Sequence, residues 1–351
     1  MRRFFYSIMS NDRKDWVAVL IRIPLFVFSL FYGVIVRALL LCYSSGILPR
    51  RKLNVPVISI GNLTIGGVGK TPTVILIAKM LRLRKLKVAI LTRGYKPGFF
   101  EQDSNQADEA QVLSEVLSDV GIVVNPNRYR GGIEAIERYQ PDVIILDDGF
   151  QHWRLFRDLE IVLIDSLNPF GNGHLLPMGV LREPIASLKR ADVLVLTKAD
   201  RGDVRKLKNQ LDHLFQGIPV IETVHSPKSL FDLYTHKDVS LNQLCRPIVA
   251  FCGIGDPLSF KFMLVSLGSD VKEFVSFMDH HSYSSDDMKK IRGICDNLGI
   301  RTVVTTRKDS VKLQQFKEAW QGFDILVLSI EIEITQGKNE FEERIHHLLR
   351  G

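Results

Sequence analysis

Apolar residues follow two rhythms along this chain, and the changes between them mark out its elements. From Trp16 to Tyr43 they form one long, nearly unbroken stretch. Beyond it, short runs rich in β-branched residues, at 57–60, 87–92, 121–124, 143–146, 161–164 and 193–197, read as strands. Helical spacing fills the gaps between the first four. One pattern opens at Lys70 and carries Ile75, Ala78 and Leu81; another begins at Asn105 with Ala110, Leu113 and Leu117; a third begins near Tyr129. This strand and helix alternation predicts a parallel sheet. Residues 219–245 alternate only weakly and read as a β-ribbon between two lobes. From Arg246 a second alternation starts, with strands at 248–252, 271–277, 302–306 and 325–332, a helix at 285–298 and a terminal helix. The expected divisions are therefore 1–52, 53–218, 219–245 and 246–351, and the second lobe is expected to close over the first.

Within the long apolar stretch, Arg22 and Arg37 bracket an uncharged run, 23–36, with Pro24 near its start. A bilayer needs about 20 apolar residues, so that run alone is too short to cross one. Basic residues flank both ends (Arg2, Arg3, Arg13 and Lys14, then Arg50, Arg51 and Lys52), which suits an anionic membrane surface. The reading is a helix that lies in or dips into the interface; a single spanning helix and a buried core helix are the alternatives. No small-residue cleavage site follows, so a signal peptide is not expected.

Composition narrows the class less than the pattern does. With 351 residues, 24% charged and 46% hydrophobic, the chain builds two cores and is not disordered throughout. Its net charge of +7 points to a polyanionic partner. Nucleic acid is disfavoured, because the basic residues are dispersed and form no stripe with interleaved aromatics. Cys42, Cys245, Cys252 and Cys295 are scattered without a CxxC pair, which excludes an obvious zinc or dithiol site and suits a reducing cytosol. No obligate protein partner is evident.

The chemistry concentrates after the first strand, in V-I-S-I-G-N-L-T-I-G-G-V-G-K-T-P-T. Strand, glycine-rich loop and helix in that order make a P-loop, here Thr64, Ile65, Gly66, Gly67, Val68, Gly69, Lys70 and Thr71. Its backbone N–H groups and a helix N-terminus face a polyphosphate, Lys70 reaches the β- and γ-phosphates of ATP, and the Thr71 hydroxyl holds Mg²⁺. Thr64 stands where the generic pattern has glycine. The strand at 143–146 runs into Asp147 and Asp148, a Walker B shape; side chains alternate along a strand, so one of the two takes the metal side. Gln151 and His152 follow on the loop. The long segment 168–183, with Leu175, Leu176, Met178, Val180 and Leu181 in no core pattern, ends in Arg182 and Glu183; an arginine there suits a transferring phosphoryl group. Asp108 and Glu109 open the helix that begins at Asn105, where a helix dipole alone explains acidic residues. The overall expectation is an α/β protein: a P-loop NTPase-like parallel core, a smaller α/β lobe joined by a β-ribbon, and a membrane-associated N-terminal helix.

Several stretches taken together, G-N-L-T-I-G-G-V-G-K-T-P, T-R-G-Y, A-D-E-A, D-D-G-F-Q-H, L-R-E-P, F-C-G-I-G-D-P, D-H-H and T-T-R-K-D, resemble the tetraacyldisaccharide 4'-kinase family, the lipid A kinases of Gram-negative bacteria, over about residues 15–310. The resemblance implies transfer of the ATP γ-phosphate to the 4'-hydroxyl of an acylated glucosamine disaccharide 1-phosphate at the cytoplasmic face of the inner membrane. It places the catalytic aspartate on Asp108 and its partner histidine on His280, with His281 adjacent. It also sets Glu109, Asp147, Asp148, Gln151, His152, Arg182 and Glu183 around Mg²⁺, nucleotide and reacting groups. Phe150 stands where that family often has leucine.

Two rival readings follow from parts of the same sequence. A membrane-associated partition or septum-type ATPase switch shares G-G-V-G-K-T, but that group has lysine where Ile65 stands and leaves D-D-G-F-Q-H unexplained. A GTPase is prompted by Thr197-Lys198-Ala199-Asp200, which resembles a guanine-reading TKxD element.

Overall fold

The structure is a computed structural model that describes residues 15–94, 107–279 and 281–350, the side chains at 17–19, 107–109, 349 and 350 excepted. Two compact units emerge, and each is built from discontinuous segments. The described parts of the first are 15–93, 119–224 and 333–350; those of the second are 94, 107–118, 225–279 and 281–332.

The first unit is a parallel sheet. Its strands are β1 (Val57–Asn62), β2 (Val88–Thr92), β3 (Gly121–Val124), β4 (Val143–Asp147), β5 (Leu159–Asp165), β6 (Val193–Thr197) and the start of β7 (Val220–Asp232), in the order β7-β6-β5-β1-β4-β2-β3. β1 is buried along its whole length, Ser59 included, as expected of a mostly apolar strand covered on both faces. It lies between β4 and β5, where the chain reverses its direction of travel across the sheet, and such a reversal leaves a crevice at the carboxyl ends of the strands. Around the sheet lie α2 (Lys70–Leu83), α4 (Arg128–Tyr139), α5 (Val204–Leu214) and α9 (Lys338–Arg350). Phe341 and Ile345 bury the inner face of α9, and Arg84 on the far end of α2 pairs with Glu342 at 3.7 Å.

The apolar N-terminal stretch forms α1 (Trp16–Ser44). It is not a core helix. Among its described side chains Ser29, Gly33 and Val36 are buried and Leu25, Tyr32 and Leu40 half-buried, while Phe28, Phe31, Val34 and Ile35 stand exposed. An 18-residue stretch within Leu20–Ser44 has a mean hydropathy of 2.3, and the segment is long and apolar enough to cross a membrane.

The second unit carries β9 (Pro247–Cys252), β10 (Asp270–Ser276), β11 (Thr302–Thr306) and β12 (Asp324–Gln336) in the parallel order β10-β9-β11-β12, with the far part of β7 and its short antiparallel partner β8 (Asp238–Val239) alongside. Its helices include α6 (Pro257–Ser266), α7 (Ser285–Leu298) and α8 (Arg307–Leu313). Two differences from the sequence reading have tertiary causes. The helix expected from Asn105, α3 (Ala107–Val116), groups with this unit because it packs on α8. The expected ribbon consists of a short hairpin, with Leu230 opposite Val239, together with β12, which runs on past Ile332 to Gln336.

Candidate active site at the carboxyl ends of β1 and β4

The loop between β1 and α2 has the geometry of an anion cradle. Gly66 and Gly69 take φ of 124° and 88°, values that L side chains rarely adopt. Gly69 is the N-cap of α2, no side chain caps that end, and no acidic residue sits in its first turn. By contrast, α4, α5, α6 and α7 are capped by Asn127, Asp203, Asp256 and Ser284. The open N–H groups of α2, with the helix dipole behind them, fit a phosphate. Its cradle is braced from the 168–183 segment: Ile65 N–H donates to the Val180 carbonyl and Arg182 N–H to the Leu63 carbonyl, both at 2.8 Å, and Thr64 bridges Leu181. This corrects one expectation. Leu175, Val180 and Leu181 are buried core residues, not a loose apolar loop, because backbone bonds to the P-loop pull them in.

Around the cradle a charged hub assembles. Lys70 Nζ donates to Asn62 Oδ1 at 3.1 Å and lies 3.4 Å from Asp148 Oδ1. Arg182 Nη1 sits 3.0 Å from both Asp148 carboxylate oxygens and donates to Gln151 Oε1 at 3.2 Å. Gln151 Nε2 closes the circuit by donating to the Asn62 carbonyl at 3.0 Å. Burial alone raises the Asp148 carboxyl, but Lys70 and Arg182 hold it below the usual carboxylate range. Asp148 itself adopts a φ of 52°, in the turn after β4. That turn lies tight on β1: a Cβ added to Gly61 would come within 2.6 Å of Phe150 Cβ.

Asp147 ends β4 in register with Ile60 and is buried, beside the carboxyl end of β1. A buried cation that the sequence reading passed over, Arg128, donates to the Asp147 carbonyl at 3.3 Å and to the Asn125 carbonyl at 2.8 Å. Burial pushes its guanidinium down to about 10, against the pull of Asp147 and Asp148. Glu183 is buried and accepts from Trp153 Nε1 at 3.0 Å and from Arg190 Nη1 at 2.9 Å; Arg190 stacks on Phe150 at 4.3 Å. Glu183 therefore secures the D-D-G-F-Q-H turn from behind.

His152 is held neutral. Burial, with Arg128, Arg157, Arg154 and Arg93 nearby, pushes its imidazole down to about 4 from 6.5. A pKa depressed in the folded state gives stability that is complete above pH 6.5 and falls away as the pH drops from 6.5 towards 4. His152→Gln is expected to remove that part of the pH dependence, read as a smaller difference in melting temperature between pH 7 and pH 5.

Three expected site residues cannot be placed with these. His280 and the side chains of Asp108 and Glu109 lie outside the described residues. Adjacent His281 is engaged within the second unit, its Nε2 3.0 Å from Asp287 Oδ2 and its ring stacked on Phe277 at 4.5 Å. The residues present fit Mg²⁺ in the way that nucleotide sites hold it. Thr71 is the second residue of α2, Asp147 closes the neighbouring strand, and among the described residues no three His, Cys, Asp or Glu side chains cluster as an all-protein cage. Thr197-Lys198-Ala199-Asp200 has a structural explanation: Lys198 is buried and its ammonium lies 2.5 Å from Asp165 at the end of β5.

The tetraacyldisaccharide-1-P 4'-kinase family profile matches residues 21–350. The chain belongs to this family. The relatives include tetraacyldisaccharide 4'-kinases of Elusimicrobium minutum, 38% identical over 88% of this chain and 86% of that protein, and of Halothermothrix orenii, 35% identical over 95% and 96%. LpxK from Aquifex aeolicus, crystallised in complex with ATP, superposes with a TM-score of 0.74 at 33% identity over 94% of this chain and 99% of that one. As a family member the chain is an ATP-dependent kinase of lipid A biosynthesis, and the partition-type ATPase reading gains no support.

Proposed function

We propose that this chain transfers the γ-phosphate of ATP to the 4'-hydroxyl of a tetraacylated glucosamine disaccharide 1-phosphate, giving lipid IV-A. One observation carries the reading: Lys70 and Arg182 share the Asp148 carboxylate beside a helix N-terminus that no side chain caps. Phosphoryl transfer asks for alignment and charge neutralisation more than for covalent chemistry. Backbone N–H groups of residues 64–71 hold the phosphates, Lys70 turns from Asp148 to their oxygens, and Arg182 neutralises the transferring group. Thr71 with Asp147 or Asp148 would hold Mg²⁺, which would supply further neutralisation, and the family resemblance adds Glu109 to that set. Asp108 accepts the proton of the sugar hydroxyl and His280 holds or relays it; these roles rest on the family resemblance. Gln151, His152 and Glu183 keep the hub in place.

The exposed apolar surface of α1 suits an enzyme at the cytoplasmic face of the inner membrane, where ATP is available and the acyl chains of the substrate stay in the bilayer. The test incubates the full chain with ATP, Mg²⁺ and tetraacyldisaccharide 1-phosphate in detergent micelles. A bis-phosphorylated lipid, absent when EDTA is added, is the expected product by mass spectrometry. Nucleotide hydrolysis without lipid product would favour a switch ATPase instead.

A further inference from the structure

The apolar N-terminal helix is tied by its few polar groups to the segment that carries Arg182. Ser29 Oγ donates to the Leu175 carbonyl at 2.9 Å, and Tyr32 Oη donates to the Arg182 carbonyl at 2.8 Å. These residues, with Gly33 and Val36, occupy positions i, i+3, i+4 and i+7, one stripe of the helix. Gly33 keeps that stripe close to its partner: a Cβ there would come within 2.9 Å of Leu175 Cδ1. A helix used only as an anchor has no need of hydroxyl groups aimed at backbone carbonyls 146 and 150 residues away. The Arg182 backbone is thus held at two points, by Tyr32 on its carbonyl and by Leu63 on its N–H, while its side chain reaches Asp148 and Gln151.

We propose that α1 is part of the scaffold of the kinase site, and that Tyr32 is a positioning residue that sets the Arg182 guanidinium on Asp148. The proposal rests on the role assigned to Arg182 above. Seating of the helix and geometry of the hub are then one event. Displacing Tyr32 releases the Arg182 carbonyl, so the guanidinium leaves the position that neutralises the transferring phosphoryl group. The exposed face of α1 has the separate task of engaging lipid, so the two functions divide by helix face.

The experiment uses the full chain in detergent micelles and compares Tyr32→Phe, Arg182→Ala, the double variant and Phe31→Ser. Loss of one hydrogen bond to a positioned group is expected to lower kcat of Tyr32→Phe roughly three- to tenfold. KM for the lipid and sedimentation with vesicles of anionic phospholipid stay unchanged. Phe31 is exposed, so Phe31→Ser is expected to weaken sedimentation and leave kcat at saturating lipid intact. On the Arg182→Ala background Tyr32→Phe adds no further loss, whereas a merely structural tyrosine costs the same factor on both backgrounds. Unchanged kcat in Tyr32→Phe, or equal losses on both backgrounds, overturns the proposal while a slowed but measurable Arg182→Ala leaves the assigned function standing. Wild-type turnover in Arg182→Ala overturns both. If Tyr32→Phe does not fold, Ser29→Ala severs the neighbouring tether and carries the same comparison.

Discussion

Lys70→Ala is expected to lower phosphoryl transfer to the lipid by on the order of 10³-fold, the upper range for removing one preorganised charge from a transition state. The reason lies in where the ammonium sits before any nucleotide arrives. It is held between Asn62 Oδ1 at 3.1 Å and Asp148 at 3.4 Å, at the first residue of α2, so its position is set without substrate. Removing it also leaves Asp148 paired with Arg182 alone, so one positive charge fewer faces the phosphates. Arginine is no replacement, because its planar fork does not reproduce a compact point charge between two oxygens. Stability is expected to change little, since the side chain is partly exposed. Product formation by mass spectrometry, with nucleotide affinity by calorimetry, checks this; lipid phosphorylation within tenfold of wild type would remove Lys70 from the reaction.

Asp309→Asn is expected to destabilise the second unit by about 3 kcal/mol, the scale for stranding buried donors. The Asp309 carboxylate is buried and only accepts: from Gly253 N–H at 3.1 Å, from Tyr283 Oη at 2.9 Å and from Thr306 Oγ1 at 2.6 Å. Burial raises the carboxyl, and those three donors work against the rise. An amide is the same size but places N–H groups against groups that already donate, so at least one of them loses its acceptor. Faster hydrogen exchange in β9 and α8, with a lower urea midpoint, is the expected readout. Exchange at the wild-type rate would mean that the network tolerates a donor.

Where the sequence was informative, local chemistry decided the outcome. Val193–Thr197 and Thr302–Thr306 are strands with the bounds that their β-branched runs indicate, and Ser285–Leu298 is a helix between a serine cap and Gly299. Lys70, Asp148, Gln151 and Arg182 meet in the hub, though Arg182 lies 34 residues from Asp148. What escaped the reading depends on distant partners. Arg128 opens a strongly polar helix and looks like a surface cation until the carbonyl of Asp147 is seen beside it. Ser29 and Tyr32 vanish into an apolar stretch. Leu175, Val180 and Leu181 have no periodicity because isolated bridges, not a strand or helix, bury them. Nothing in T-T-R-K-D or F-C-G-I-G-D-P announces that Asp309 and Gly253 bond to each other.

The assignment of residues 333–350 to the first unit bears on the order in which the chain folds during synthesis. Domains usually fold as they leave the ribosome, N-terminal first. Here α9, with Phe341 and Ile345 buried, joins the first unit only after the whole second unit has been made. The second unit, closed by Ile332, has all of its strands translated before the first unit has its last helix. During synthesis the first unit therefore has every strand of its nucleotide-binding sheet made, and the apolar α1 exposed to lipid, before its last helix exists.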